Sequence, residues 1–163
     1  MITTLQSMHL KRTLVSDAAQ ETVAHSLQAT LVDLLGLASQ AKQAHWVVVG
    51  SNFSPIHKLL DEIVATLLDQ ADETAERLVA VNIAPDGRVT TVAQTTNVEA
   101  LPEGPISDTD AVALIADRLA GVVARMRANE MQLRDADPVS DDMLIGFLGA
   151  LEKHLWMLQA QVV

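Results

Sequence analysis

The chain has 163 residues, and 49% of them are hydrophobic, which is enough apolar material for one domain to bury a full core. Aromatic residues make up only 2%, and this composition favours helices packed on helices over a β-sandwich. Cysteine is absent, so disulfides, zinc–thiolate sites and thiol nucleophiles are excluded. The formal net charge is −10, which disfavours avid binding to nucleic-acid phosphates.

The acidic balance makes metal cations more natural partners than phosphate backbones, although acidity also serves solubility alone. The first residues lack the long apolar stretch of a signal peptide, and no apolar run is long enough to span a bilayer. We therefore expect a soluble, cytoplasmic protein without a membrane partner.

The first half of the chain predicts two long helices. Residues 1–15 are expected to form a flexible N-terminal segment and residues 16–163 one domain. Ser16 or Asp17 caps the first helix, which extends to Val49-Gly50. Ser54-Pro55 begins the second helix, which ends before the turn at 85–87. The apolar stripes of these two helices are Val23, Leu27, Leu31, Leu34 and Ala38, then Ile56, Leu60, Ile63, Leu67, Ala71 and Leu78.

The second half predicts a long connection over 89–105, with room for a short helix, followed by two further long helices. Ser107 caps the third long helix, and Ser140 caps the fourth after a break at Asp137-Pro138. Their stripes are Val112, Ile115, Leu119, Val122 and Met126, then Leu144, Phe147, Leu148, Leu151, Leu155 and Leu158. Two short links and one long crossover predict an all-α, ferritin-like four-helix bundle.

The residues with metal-binding chemistry concentrate on the second helix. His57 and Asp61 are four residues apart, as are Asp72 and Glu76, so each pair stacks on one helix face. At about 100° per residue all four fall within an arc of roughly 100°. His45, near the end of the first helix, is placed to join them. An oxygen-rich set with two imidazoles and no sulfur suits iron better than a structural zinc ion.

Distance along the helix decides how such a site is built. The centres of the two pairs lie about 22 Å apart at a rise of 1.5 Å per residue, whereas metal–ligand bonds are about 2 Å long. One ion therefore cannot contact both pairs in one chain. Two copies of the second helix, antiparallel about a twofold axis near Thr66 and Leu67, bring the pairs together at two equivalent sites per dimer.

The same residues also have a plainer interpretation. A single histidine on a helix is usually exposed or satisfied within the fold, and Asp72 and Glu76 beside Arg77 are then a solvated face. On spacing alone, a metal site and an ordinary helix surface both stay open.

Several segments resemble the signature of the Dps family, the mini-ferritins known as DNA-binding proteins from starved cells. Spacings of twelve, four, eleven and four separate His45, His57, Asp61, Asp72 and Glu76, which agrees with the family pattern without a gap. The resemblance covers nearly the whole chain. The matching segments are Lys42-Gln43-Ala44-His45-Trp46, Gly50-Ser51-Asn52-Phe53, Leu60-Asp61, Asp72-Glu73-Thr74-Ala75-Glu76-Arg77 and Leu151-Glu152-Lys153-His154-Leu155-Trp156.

The resemblance implies a hollow dodecamer with ferroxidase centres between subunits. His45, His57 and Asp61 are then the iron ligands of one subunit, and Asp72 and Glu76 those of its twofold mate. It further implies that Fe²⁺ is oxidised preferentially by hydrogen peroxide, stored as a ferric mineral, and so kept from causing oxidative stress. The design of larger ferritins, with Glu-x-x-His motifs inside one bundle, is excluded because no Glu here is followed three residues later by His.

Three further expectations concern other parts of the chain. Core packing is the default for Trp46 and Trp156, and the resemblance also places Trp46 near the iron site. By resemblance, Asp142 lines the threefold pores, with Asp137 and Asp135 as weaker candidates, although capping and helix-dipole effects explain some of these carboxylates.

Binding to DNA is the point at which the sequence departs from the family. The N-terminal segment offers only Lys11 and Arg12, the sequence has no basic C-terminal tail, and twelve copies carry a charge near −120, so DNA binding is predicted to be weak or absent. The alternatives to a peroxide-consuming ferroxidase are a nucleoid-compacting protein whose metal site is secondary, and a helical interaction module.

Overall fold

The computed structural model describes residues 5–161, and these are mostly helical. Residues 1–4 of the predicted N-terminal segment and residues 162–163 of the predicted domain lie outside this range. The elements are α1 (Asp17–Val47), β1 (Val48–Val49), α2 (Phe53–Ala80), α3 (Val89–Thr95), β2 (Ile106–Ser107), α4 (Asp108–Leu133) and α5 (Pro138–Gln159). α1 packs mainly on α2, α4 mainly on α5, and the two pairs meet through α1 and α4. The predicted four-helix bundle with one long crossover is confirmed.

The core lies where the predicted apolar stripes meet. Every stripe residue is buried except Leu155, which is partly buried and packs against the same core. Full burial of one Leu or Ile side chain contributes about 1.5–3 kcal/mol, and many such side chains from all four long helices share this core. The helical spacing of the apolar residues therefore predicts which face of each helix points inward.

The ends of the helices follow the sequence less closely. Ser16 and Ser107 are N-caps as predicted, and their hydroxyls accept the backbone N–H groups of Ala19 and Asp110. α1 ends at Val47, before the predicted Val49-Gly50, because the next two residues leave the helix and pair in parallel with β2. The predicted starts of the second and fourth long helices are also wrong, by two and three residues respectively. α2 begins at Phe53, and α5 begins at Pro138 with Asp137 as its N-cap, so that Ser140 lies within the first turn.

The crossover contains the expected short helix, α3. The chain just after α3 is attached to the bundle by the buried carboxylate of Asp33 on α1, which accepts the backbone N–H of Asn97 at 2.9 Å and the hydroxyl of Thr96 at 3.2 Å. Arg125 of α4 lies 2.5 Å from the same carboxylate. One buried acid thus joins α1, α4 and the crossover, and its charge is paired, as burial requires.

Part of the N-terminal segment hydrogen-bonds to the end of the α1–α2 hairpin. Ser7 and Ile83 form an isolated antiparallel bridge, and the N–H of Met8 donates to the carbonyl of Asn82 at 3.1 Å. Asn82 has a positive φ of 68°, and its side chain accepts the N–H of Leu10. The flexibility of residues 1–15 stays a prediction. No helix between residues 5 and 161 combines the length and the apolarity that crossing a membrane requires.

Candidate metal centre

Two imidazoles lie face to face where α1 gives way to α2. His45 is in the last turn of α1, His57 is in the first turns of α2, and the ring centroids are 3.6 Å apart with 21° between the planes. Each ring is bonded to the backbone of the other residue, since Nδ1 of His45 lies 2.8 Å from the carbonyl oxygen of His57 and Nδ1 of His57 lies 2.9 Å from that of His45. We call this reciprocal arrangement the histidine clamp.

The hydrogen bonds of the clamp determine which nitrogen of each ring remains available to bind a metal ion. A carbonyl oxygen only accepts hydrogen bonds, so both Nδ1 atoms carry the proton. In a neutral imidazole this leaves the lone pair on Nε2. Within residues 5–161, the hydrogen bonds of both rings run through Nδ1 alone. A donated Nδ1–H and a free Nε2 are the state in which histidine binds metal ions.

Asp61 lies one turn beyond His57 on α2 and is occupied by a lysine. Its Oδ1 is 2.5 Å from Nζ of Lys42 and 3.9 Å from Nδ1 of His45, which is too far for a hydrogen bond. The hydrogen bond from Lys42 holds the pKa of Asp61 below its ordinary value. The side chain is 56% exposed, so this carboxylate is charged and accessible. The sequence predicts no role for Lys42, although this residue belongs to one of the segments that resemble the family signature.

Two aromatic residues border the clamp. The ring of Phe53 is tilted against His57, with centroids 4.9 Å apart, and this contact was not predicted. Trp46, next to His45, is 66% exposed, and Trp156 on α5 is 65% exposed, so the expectation of core packing is wrong for both in the single subunit. The apolar character of a residue on a helix does not show whether its side chain lies in the core of the subunit or on a surface that a second chain covers.

Asp72 and Glu76 are not brought to the clamp. Both are exposed on α2, and Asp72 is eleven residues beyond Asp61, or about 16 Å along the helix. Among residues 5–161, no group of three or more His, Asp or Glu side chains is arranged to hold a metal ion. One chain brings three of the five predicted ligands, His45, His57 and Asp61, into one neighbourhood without completing a metal site, and it leaves the other two apart.

A shallow groove of about 500 Å³ lies between α1 and α2 beside the clamp. Trp46 and Lys42 line it from α1, and Val64 and Leu68 line it from α2. Leu68 is about half exposed, so a large part of this apolar surface is open to solvent in the single subunit. Exposed apolar surface therefore lies next to His45, His57 and Asp61, which form only part of the predicted ligand set.

The three pore candidates differ in their surroundings. Asp135 and Asp142 are exposed, whereas Asp137 is buried. Its Oδ2 is 2.6 Å from an Nη of Arg77 on α2 and accepts the hydroxyl of Ser140. Burial raises the pKa of Asp137, but the hydrogen bonds from Ser140 and Arg77 outweigh that effect and hold it below its ordinary value. Within the subunit, Asp137 is a paired structural carboxylate.

Known proteins with similar sequences and structures were compared with the chain. A family model described as a ferritin-like domain matches residues 24–163. The DNA protection during starvation protein of Agrobacterium fabrum is 32% identical over 88% of this chain and 90% of that protein. The fine tangled pili major subunit of Haemophilus ducreyi is 32% identical over 86% of this chain and 74% of that protein.

Among solved structures, Dps from Microbacterium arborescens in the high iron form matches with a TM-score of 0.87 at 32% identity. The match covers 93% of this chain and 99% of that chain. The bundle is therefore ferritin-like, as predicted.

Proposed function

Because the chain belongs to the Dps family of ferritin-like proteins, we propose that it oxidises Fe²⁺ with hydrogen peroxide and stores the ferric product inside a hollow homododecamer. The observation that carries the proposal is the histidine clamp, which reserves two imidazole nitrogens for a metal ion beside Asp61. Protection against oxidative stress follows, because the reaction consumes ferrous iron and peroxide together.

The proposed ferroxidase centre is completed by a second copy of the chain. His45, His57 and Asp61 act from one subunit, and Asp72 and Glu76 act from its twofold mate. The separation of the two groups along α2 supports this division, because one ion cannot contact both within one chain. The groove beside the clamp also supports it, because burial of Trp46 and Leu68 against a second copy favours the dimer that closes the site.

The ligand chemistry suits iron that changes oxidation state. Imidazole nitrogen binds Fe²⁺ well, and carboxylate oxygen prefers the harder Fe³⁺. A centre with three carboxylates and two imidazoles therefore stabilises the oxidised ion more than the reduced one. This difference lowers the barrier to loss of an electron from iron, which is the substrate here.

The reaction balances when two Fe²⁺ ions react with one peroxide. Each ion loses one electron, the O–O bond breaks, and two protons are taken up to give two Fe³⁺ and two water molecules. Paired oxidation avoids the one-electron cleavage that releases hydroxyl radical. Trp46, exposed and adjacent to His45, is the residue we propose to accept any stray oxidising equivalent.

Iron must also reach the interior of the assembly. We propose that Asp142, with Asp135 in a lesser role, lines threefold pores in the dodecamer and attracts Fe²⁺ by its charge. Asp137 is not carried into this role, because its carboxylate is buried against Arg77.

The names of several relatives raise DNA binding as a second candidate function. The charge of the chain argues against it, since twelve copies at −10 each repel phosphate and the first fifteen residues contain only Lys11 and Arg12 as cations. We expect no mobility shift of linear DNA at about 150 mM salt. A clear shift under those conditions contradicts this part of the proposal.

The ferroxidase proposal is tested by anaerobic titration with Fe²⁺ followed by addition of peroxide. The wild-type protein is expected to give a rapid ferric absorbance, and His57→Ala and Asp61→Ala are expected to lose at least 100-fold in initial rate. His25→Ala removes an exposed histidine elsewhere on α1 and is the matched control, which keeps the wild-type rate. Equal rates in all four proteins contradict the proposal.

A mixing experiment tests whether the centre is shared. His57→Ala and Glu76→Ala are each inactive alone, because each damages both sites of its twofold dimer. In a mixed dimer, both changes fall in one site and the other site is intact. Random co-assembly therefore restores about a quarter of the wild-type sites. Mixed particles that stay inactive, despite mass measurements that show both chains in one particle, exclude a shared centre.

A further inference from the structure

The histidine clamp depends on how the end of α1 meets the start of α2. Its two hydrogen bonds of 2.8 and 2.9 Å join residues on different helices through a link of only five residues, 48–52. A shift of about 1 Å between the helices breaks both bonds, since hydrogen bonds weaken steeply beyond about 3.2 Å. The clamp therefore depends on the position of this link.

Asp108, the first residue of α4, is hydrogen-bonded to this link. Its carboxylate is buried, its Oδ2 accepts the backbone N–H of Asn52 at 2.7 Å, and its Oδ1 accepts the N–H of Thr109 at 2.9 Å. Asn52 is the N-cap residue of α2, but its own side chain makes no capping hydrogen bond. A carboxylate from another helix therefore supplies the negative charge that the N-terminus of α2 favours.

The carboxylate of Asp108 packs against the backbone of the link at Gly50. Gly50 has a φ of 142°, and a Cβ placed on it would lie 2.4 Å from Cγ of Asp108. No side chain is therefore tolerated at position 50 without displacing the acid. Just before it, Val48 and Val49 pair with Ile106 and Ser107, the residues that lead into Asp108. The link is thus attached to residues 106–108 both by the pairing of β1 with β2 and by the N–H of Asn52.

We infer that Asp108 is a positioning residue of the ferroxidase centre: through the N–H of Asn52 it sets the register between α1 and α2 in which the clamp closes. This inference rests on the proposed function for its significance. Asp108 is assigned no contact with iron. Its contribution is to keep both histidines protonated on Nδ1, so that Nε2 of each ring stays available for a metal ion.

The test reads the histidine rings directly, without iron. In protein labelled with ¹³C and ¹⁵N at its five histidines, solid-state NMR of sedimented particles distinguishes Nδ1–H from Nε2–H rings, and His45→Ala and His57→Ala assign the signals. Wild-type protein is expected to show both clamp rings as Nδ1–H. Asp108→Ala is expected to lose these signals and to bind Co²⁺, added without oxidant as a probe, about 10- to 100-fold more weakly.

Three further variants separate positioning from simple stability. Asp108→Asn keeps an acceptor for Asn52 and is expected to retain both signals, with Co²⁺ affinity within about threefold of the wild type. Asp117→Ala, which removes an exposed acid farther along α4, is the control without effect. Gly50→Ala displaces the carboxylate of Asp108 by adding a Cβ beside it. This variant is expected to show the same loss of Nδ1–H signals and of Co²⁺ affinity as Asp108→Ala, so the test stays decisive if Asp108→Ala does not assemble.

The outcomes also separate this inference from the proposed function. Both Nδ1–H signals and full Co²⁺ affinity in Asp108→Ala or Gly50→Ala overturn the positioning role while leaving wild-type ferroxidase activity intact. Wild-type protein that fails to oxidise iron, but whose ring signals still depend on Asp108, overturns the proposed function alone.

Discussion

Two turns of the bundle carry clusters of ionisable residues, and their states differ. At the α4–α5 turn, Asp137 is buried and its carboxylate is bonded to Arg77 and Ser140. At the α1–α2 turn, the hydrogen bonds that residues 5–161 make to the two clamp rings involve Nδ1 alone, and Asp61 is exposed and paired with Lys42. Both clusters were candidate sites from the sequence. In the first cluster the carboxylate is fully paired within one chain. In the second, the Nε2 atoms of both imidazoles and the exposed carboxylate of Asp61 remain able to bind a metal ion, as a metal centre requires.

The largest effect that tests this contrast is on stability. Asp137→Ala leaves the partly buried guanidinium of Arg77 without its charged partner and is expected to lower the free energy of unfolding by about 3 kcal/mol. His57→Ala removes a half-buried ring and is expected to cost less than about 1 kcal/mol. Chemical denaturation at one fixed protein concentration measures both. Similar costs for the two variants contradict the division into a structural cluster and a functional one.

Acid titration sharpens the same comparison. The pKa of Asp137 is lowered in the folded protein, so its contribution to stability is present above the unfolded value of about 3.9 and is lost as pH falls through the folded value. The difference in unfolding free energy between the wild type and Asp137→Ala is therefore expected to be constant near pH 6–7 and to shrink below about pH 4. A difference that is independent of pH down to about pH 2 assigns the cost to packing instead.

The fold was accessible to sequence reasoning because its determinants are local. Helical periodicity marked the buried faces of all four long helices, and the caps Ser16 and Ser107 act on backbone groups within three residues. The errors at the starts of α2 and α5 amount to only a few residues. They arise because helix ends depend on partners elsewhere in the fold, such as Asp108 at the start of α2 and Arg77 at the start of α5.

The candidate site was only partly accessible, for the same reason. Spacing on one helix predicts that His57 and Asp61 share a face, and the structure adds His45 from the neighbouring helix. Contacts between residues far apart in sequence, such as Asp108 with Asn52, carry no local pattern and were missed. The burial of Asp137 was missed likewise, because Arg77 lies 60 residues away in the chain. The participation of Asp72 and Glu76 in the site stays a prediction.

The smallest expected effect concerns Lys42, which occupies Asp61 in the chain without metal. A metal ion that binds Asp61 must displace this ammonium group, so Lys42→Gln is expected to strengthen Co²⁺ binding by about two- to fivefold, in line with the modest value of an exposed ion pair. Lys58→Gln, an exposed lysine next to His57, is the matched control for the lost charge. The gain of Lys42→Gln over this control is expected to shrink at 1 M salt, because screening weakens the competing ion pair. Equal affinities for the two variants at low salt mean that Asp61 is already available, and that the contrast between the two turns depends on the histidine rings alone.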